Sequence, residues 1–546
     1  MSDDVRFDDD LNLADYFVHD RVREGRGDRV AIRFGDARYS YRQVSERSTA
    51  LASSLRTHGV KPEQRVLVIL PDLPAFAWAI FGTMECGAVL AMGNPDAPSK
   101  DLAYLLAYTR ATALITVPRV LAAIEAEVLA AGLCAVYLAH DAPTSERPDQ
   151  EVTLPTLPEV TVLALEHEVT ARWPAMPRVK TRRDDVAIWL FTSGSTGQSK
   201  AAMHTHRDFA FNTEVFAKET MALRESDVTV SVPRLYFGYA TGTNLFFPFA
   251  VGATAALFSE RPTPEALLDA IARDRPTVLT NVPTMMGRLL AHDRERQRRG
   301  ESALDLSCLR FCYSAGEALP PSLLAQWSER FGVEVYDGIG SAEMFHIYVS
   351  NRPGDVMPGS LGRVVSGYTA RLLAQDAEGP GAPEVPEGQE GVLWIRGDSV
   401  ALGYFQDRDK SWETFHGHWC RTGDLFRRDA QGYFWFGGRA DELLKISGQW
   451  VSPIEVEECL LSHPAVQTCA LIGVDLGGGM LASRMYVVLH AGHIQDDTLA
   501  VALQDHVRAR LSHHKYPRQV RFVDELPRND RGKIDRKALK ARASES

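Results

Sequence analysis

No stretch of this 546-residue chain stays apolar long enough to cross a bilayer, so no membrane helix is expected. The first ten residues are acidic and hold no apolar core, which is not the pattern of a secretory leader; the cytoplasm is the expected compartment. Cysteine is sparse. The seven present are an odd number, no C-x-x-C pair occurs, and Cys308 and Cys312 lack His or Cys partners at zinc-binding spacing. Ordinary reduced thiols in the core are the reading that remains. Excess positive charge is also missing. A formal net charge of −11 argues against a nucleic-acid partner held by overall charge, so acidic substrates would need locally basic docking surfaces. There is no internal repeat of solenoid type.

Two familiar nucleotide signatures are absent as well. Thr192-Ser-Gly-Ser-Thr-Gly-Gln-Ser-Lys200 follows the apolar run Val186–Phe191, which predicts a buried strand. The stretch gathers hydroxyls, two glycines and a lysine, the chemistry of a loop that holds a polyphosphate. A Walker A loop needs Gly directly before Lys, and Ser199 stands there. A dinucleotide fingerprint needs G-x-G-x-x-G, which Gly194 and Gly197 do not supply. Nucleotide binding of another kind is implied, with a Ser/Gly-rich surface loop as the alternative.

The length requires two or more domains, and 45% hydrophobic with 24% charged residues is the balance of a globular chain. Ser40 predicts the cap of a helix running to about His58. Arg65–Leu70, Ala113–Val117 and Ala135–Ala139 read as strands, with an apolar helix near Ala75–Met84. This alternation predicts a parallel sheet covered by helices. Residues 141–185 read as a surface excursion, and Arg294–Gly300 as a solvated charged loop. Alternation resumes at Val228–Val232, Ala253–Phe258, Thr277–Thr280 and Leu309–Tyr313, then gives way to short β-like runs from Gly359 to Gly437. The predicted class is α/β: a large N-terminal domain of helix-covered sheets plus a short β-rich part (1–440), then a small mobile α+β lid (441–546). In the lid, a helix near Ile454–Ser462 and strands near Val466–Val474 and Arg484–Leu489 precede a helix near Thr498–Leu511 and a basic tail.

The loop resembles the phosphate-binding signature of the adenylate-forming superfamily. Tyr313-Ser-Ala-Gly-Glu-Ala-Leu-Pro320, Asp337-Gly-Ile-Gly-Ser-Ala-Glu343, Trp419-Cys-Arg-Thr-Gly-Asp424, Gly438-Arg-Ala-Asp441 and Arg528-Asn-Asp-Arg-Gly-Lys533 match in the same order. The resemblance implies that ATP and a carboxylic acid give an acyl-adenylate and pyrophosphate, and that a thiol then displaces AMP. It implies Lys533 as the catalytic lysine, Glu343 as the Mg²⁺ ligand, and Lys200 with Thr192, Ser193, Gly194, Ser195, Thr196 and Gly197 around the phosphates. Gly316, Glu317 and Asp337 would flank the adenine, Asp424 would take the ribose hydroxyls, and Arg439 would lie near the ribose and phosphate. Asp441 would be the hinge of the lid, and Lys445, Ser447 and Gly448 would line the tunnel to coenzyme A. Arg508, Arg510, His513, His514, Lys515 and Arg518 are candidates for the CoA phosphates, with a solvated face as the alternative. One position departs from the pattern: Ala342 stands where relatives usually carry a Thr that contacts the α-phosphate.

The acyl pocket of relatives maps onto Phe237, Gly238 and Tyr239 with Gly338, Ile339, Gly340 and His346. Phe237, Tyr239 and His346 make an aromatic-walled slot for a planar ring, with core packing as the alternative for the two aromatics. Gly238 and Gly338 are expected to leave room beside that ring. The segments resemble benzoate-type CoA ligases, with benzoate or 2-aminobenzoate (anthranilate) favoured as the acid. An enzyme loading a carrier protein, and a nucleotide-binding protein without catalysis, stay open, as does a homodimer.

Overall fold

The computed structural model describes residues 5–141, 153–174, 176–193, 198–446, 449–475, 481–490, 492–528 and 534–545. A seven-stranded sheet runs, in spatial order, Thr161–Ala164, Ala135–Leu138, Ala113–Thr116, Arg65–Ile69, Val89–Met92, Val186–Ser193 and Ser199–Thr205. Every pair is parallel except the last, which is an antiparallel hairpin. Its central strands are buried on both faces, the condition that parallel strands need and that their unbroken apolar sequences supply. Helix Tyr41–Thr57 starts at Ser40, whose side chain and that of Gln43 form a reciprocal cap. Helix Pro74–Glu85 is buried from Pro74 to Met84, so it is apolar all round.

A second sheet has nine strands in the order Arg363–Val364, Ile347–Ser350, Val335–Gly340, Phe311–Ser314, Val278–Asn281, Val228–Ser231, Thr254–Leu257, Val30–Phe34 and Ala37–Ser40. Its middle is parallel and its two margins antiparallel. A five-stranded antiparallel sheet spans Thr369–Arg439. After it come a short hairpin, Leu444–Ile446 with Gln449–Val451, and a three-stranded sheet packed with helices Pro453–Leu461 and Asp497–Arg508. These match the expected α/β class and the change of pattern near residue 360.

Two expectations are corrected. The excursion 141–185 includes an edge strand, Thr161–Ala164, and a helix, Leu165–Thr170, whose Leu165 and Val169 are buried. The charged run near Arg294 is the end of helix Pro283–Arg298. Its Arg, Glu and Gln are good helix formers, and Glu295 pairs with Arg298 and Arg299 one turn on. Within the basic tail, Arg536–Glu545 is helical, and Arg536 pairs with Glu457 at 2.6 Å and Glu442 at 3.4 Å.

Candidate active site

Asn281, Ser314 and Asp337 are register neighbours near the carboxyl ends of three adjacent parallel strands. In open α/β sheets such ends are where ligands bind. Asn281 Nδ2, Asp337 Oδ1 and Ser341 Oγ are buried there without a protein hydrogen bond, and a polar ligand would satisfy such atoms. Burial pushes the Asp337 carboxyl up to about 7, although Ser314 and the Gly338 amide favour its ionised form. Gly316 has φ +87° in the turn after Ser314, a conformation suited to glycine. Glu317 accepts from the Thr284 amide at 3.0 Å and its hydroxyl at 2.7 Å. That carboxylate therefore ties the turn to the start of helix Pro283–Arg298.

Strand Ser199–Thr205 frames the opposite side. The sequence reading missed it because only the apolar strand before the loop stands out. Its outer edge meets the segment 401–405: Met203 donates to Gly403 O, Leu402 to Met203 O, and Phe405 to Ala201 O. Lys200, Ala202 and His204 alternate along it and share one face. Lys200 Nζ lies 2.5 Å from Asp407 and holds that carboxyl below the usual range. The Tyr404 hydroxyl donates to Glu343 Oε1 at 2.7 Å; burial first, and then the Glu343 charge, hold that phenol above its ordinary range.

Glu343 rides on a strained turn. Phe345 has φ +66° and ψ −57°, and the His346 amide donates to Met344 O at 2.8 Å, the geometry of a γ-turn that few residues tolerate. Such strain costs on the order of 1–3 kcal/mol and persists only where the surroundings over-determine it. Here three successive carbonyls are held: Ala342 O by His204 Nε2 at 2.6 Å, Glu343 O by the Ala401 amide at 2.9 Å, and Met344 O by Ser399 Oγ at 3.0 Å.

On the far side of this turn, His346 is 3% exposed. Its ring lies 4.7 Å from that of Phe247, 5.4 Å from those of Phe216 and Phe345, and 5.6 Å from that of Tyr239. Nε2 bonds the Tyr239 carbonyl at 3.1 Å, and Nδ1 has no partner. Burial pushes this imidazole down to about 3, so it is neutral near pH 7 with its hydrogen on Nε2 and a bare acceptor at Nδ1. The glycines do not act as expected. A Cβ on Gly338 would lie 2.8 Å from Val349 O, and one on Gly340 2.4 Å from His346 O, so the neighbouring backbone, not a substrate ring, fills that space. A Cβ on Gly238 would meet Leu190 at 3.2 Å and Phe345 O at 3.3 Å. Gly242, which the sequence reading missed, is the glycine that makes room for the imidazole: its Cβ would lie 2.6 Å from His346 Cδ2. Phe237 packs against Tyr236 at 4.5 Å, and Ile339 stands on the same strand as Gly338 and Gly340.

Asp424 and Arg439 face each other across an antiparallel pair. Arg439 Nη1 donates to Asp424 Oδ1 at 3.0 Å, and Nε donates to the expected hinge residue Asp441 at 3.1 Å. Lys445 lies exposed on the hairpin strand Leu444–Ile446. Lys515, a candidate for CoA phosphates, is taken up by Glu455 at 2.6 Å. Gly194, Ser195, Thr196, Gly197, Ser447, Gly448 and Lys533 lie outside the described residues, as does the side chain of Ser193; Thr192 is described in the strand leading to the loop. Glu343 fits a magnesium ion in kind, since that ion takes one or two carboxylates and fills the rest with phosphate and water. Among the described residues no cluster of three or more His, Cys, Asp or Glu offers a full protein cage.

A family model described as AMP-binding enzyme matches residues 19–405, and one for the C-terminal domain of that enzyme matches 455–533. The chain is 36% identical to a benzoate–CoA ligase of Thauera aromatica over 98% of its own length and 97% of the relative's. It is 33% identical to an anthranilate–CoA ligase of Pseudomonas aeruginosa, covering 88% and 87%. Among solved structures, the anthranilate CoA ligase AuaEII in complex with anthranoyl-AMP superposes with a TM-score of 0.87 at 32% identity, covering 98% of both chains. A benzoate CoA ligase from Burkholderia xenovorans LB400 does so with 0.84 at 35%, covering 97% and 100%. No helix among the described residues is long and apolar enough to cross a membrane. The ordered motifs, the strand-end site and these matches agree, and the chain belongs to the AMP-binding enzyme family.

Proposed function

We propose that this protein is an ATP-dependent aryl-acid:CoA ligase acting on a small benzoate, with benzoate or 2-aminobenzoate as the acid. The observation that carries this reading is the Ala342–His346 turn. It presents Glu343 beside Tyr404 on the polar side and His346 to an aromatic enclosure on the other. An acid whose ring enters the enclosure has its carboxylate directed toward the polar side.

The first step brings two anions together, so positive charge and fixed donors supply most of the acceleration. The acid's carboxylate attacks the α-phosphorus of ATP, and pyrophosphate leaves. Lys533, in its Arg-Gly-Lys motif, neutralises charge on the carboxylate and α-phosphate. Lys200 exchanges Asp407 for a phosphate oxygen. Glu343 would hold a magnesium ion, which when bound supplies positive charge to the phosphoryl oxygens. Asp424 takes the ribose hydroxyls, and Arg439 fixes that carboxylate. In the second step the CoA thiol, as thiolate, attacks the acyl carbon and AMP leaves. Residues 441–546 act as a lid turning at Asp441, and Lys445, Ser447 and Gly448 line the thiol's path. The same reading places the enzyme in the cytoplasm.

The test is pyrophosphate release with a panel of acids, followed by addition of CoA or of a carrier protein. Turnover of benzoates with CoA is expected. Transfer only to a carrier protein would shift the activity to carrier loading. Better turnover of octanoate than of any benzoate would overturn the aryl-acid assignment.

A further inference from the structure

His204 is fully buried and is absent from the chemistry above. Both of its ring nitrogens face acceptors. Nδ1 lies 2.7 Å from Asp208 Oδ2, and Nε2 lies 2.6 Å from the carbonyl oxygen of Ala342, 138 residues away. A backbone carbonyl cannot donate. Asp208 already accepts from the Thr205 amide at 3.2 Å and from the Thr205 hydroxyl, so its carboxylate is also an acceptor. Nε2 therefore carries a hydrogen and donates it to Ala342, while Nδ1 and Asp208 share a hydrogen bond behind it. The result is a hydrogen-bonded link from strand Ser199–Thr205 to the turn that carries Glu343. Phe209 packs edge-on to the same ring at 5.6 Å and closes it from the side.

The turn needs such a hold. Its γ-turn at Phe345 is strained, and Phe345 is wedged against Phe209 with ring centres 4.0 Å apart. Ser399 and Ala401 pin the two following carbonyls from the 399–405 side, while His204 alone of the three comes from the loop strand. We propose that His204, oriented by Asp208, is a positioning residue for adenylation: it holds the Ala342–His346 turn so that Glu343 and His346 are presented together, one to the nucleotide side and one to the acid. This rests on the assignment of Glu343 and His346 to those two sides.

The experiment compares His204→Leu, which removes both ring-nitrogen hydrogen bonds, with His204→Gln, which keeps one amide N–H toward Ala342. Affinity is read by calorimetric titration with MgATP and, separately, with 2-aminobenzoate; the two half-reactions are then timed. For His204→Leu both affinities are expected to fall together, about tenfold, with adenylation slowed and thioester formation from supplied benzoyl-adenylate within twofold of wild type. His204→Gln is expected to recover part of both losses. Controls separate the layers: Glu343→Gln should weaken MgATP alone, and His346→Leu the acid alone. If Glu343→Gln leaves MgATP binding unchanged, the assignment of Glu343 falls. If the controls behave but His204→Leu binds both ligands as wild type does, or slows both half-reactions equally, the positioning role falls. Should His204→Leu fail to fold, His204→Gln decides alone: parallel weakening of both ligands supports the role, and wild-type binding of either removes it.

Discussion

The two groups of residues proposed to meet the nucleotide and the acid are built on opposite terms. On the proposed nucleotide side the charged groups named above already have counterparts: Lys200 has Asp407, Glu343 has Tyr404, and Arg439 has both Asp424 and Asp441. On the acid side a neutral imidazole sits among four aromatic rings with one lone pair unused. A ligand on the first side must exchange partners, so its groups are set to act on charge that appears during reaction. A ligand on the second side fills a deficit that exists beforehand. Substitutions on the nucleotide side should therefore change the rate of a step, and those on the acid side should change which acid is chosen.

The sharpest break of this contrast is Lys533→Ala. Adenylation should fall by about 10²–10³-fold, the usual effect of losing one group that stabilises developing charge. Conversion of supplied acyl-adenylate and CoA to thioester should be unaffected, and benzoate and 2-aminobenzoate should suffer alike. Near-wild-type pyrophosphate release would remove the role given to Lys533.

A smaller effect, confined to the other step, is expected at the hinge. Asp441→Pro fixes φ at the proposed hinge. Thioester formation should slow by roughly tenfold while adenylate accumulates, as read by single-turnover quenching. The Arg439–Asp441 bond makes this informative, because it joins the hinge to the group that holds Asp424. Equal slowing of both half-reactions would mean that Asp441 serves nucleotide binding instead.

On the acid side, His346→Leu should leave adenylation of benzoate nearly intact and lower kcat/KM for 2-aminobenzoate about tenfold more. This follows if an ortho amino group donates to Nδ1, since a buried hydrogen bond left unmade costs about 1–3 kcal/mol. Nε2 is already used by Tyr239 O, so an acceptor at the ortho position gains nothing. Parallel losses on the two acids would return His346 to a wall residue.

What could be read from the residues alone follows the range of the forces involved. The Ser40 cap, the apolar strands and the fully apolar helix Pro74–Glu85 are local, and each carries its own pattern. So do the motifs that end in Glu343, Asp424 and Asp441. The run at Arg294 misled because charge alone does not separate a loop from the exposed end of a helix. The glycines at 338 and 340 misled because a missing side chain looks the same whether a ligand or a neighbouring strand fills the space. His204, Tyr404 and Asp407 were illegible for a different reason. Their partners lie 138, 61 and 207 residues away, and only the tertiary packing of strand Ser199–Thr205, the Ala342–His346 turn and the 401–407 segment brings them together.

Asp337 cuts across the contrast and gives its finest test. It stands on the nucleotide side, yet it is built like the acid side: buried, with Oδ1 unpaired, and without an ion pair among the described residues. Burial raises its carboxyl from 3.8 to about 7 in the folded protein. The folded chain thus keeps a proton that the unfolded chain releases above about pH 4. The stability linked to that proton is complete below the unfolded value and is lost as pH rises through about 7. At pH 8 the nucleotide-free protein must hold a buried carboxylate. The gap between the two values sets an upper bound of about 4 kcal/mol on the penalty, and relaxation around the site reduces it. Asp337→Asn matches the protonated carboxyl in shape and cannot ionise. Its gain in apparent Tm over wild type, read without ATP, should be small at pH 5 and grow to about 1–3 °C at pH 8. A difference of the same size at both pH values would mean that Asp337 is ionised and satisfied throughout, and that the nucleotide side is paired without exception.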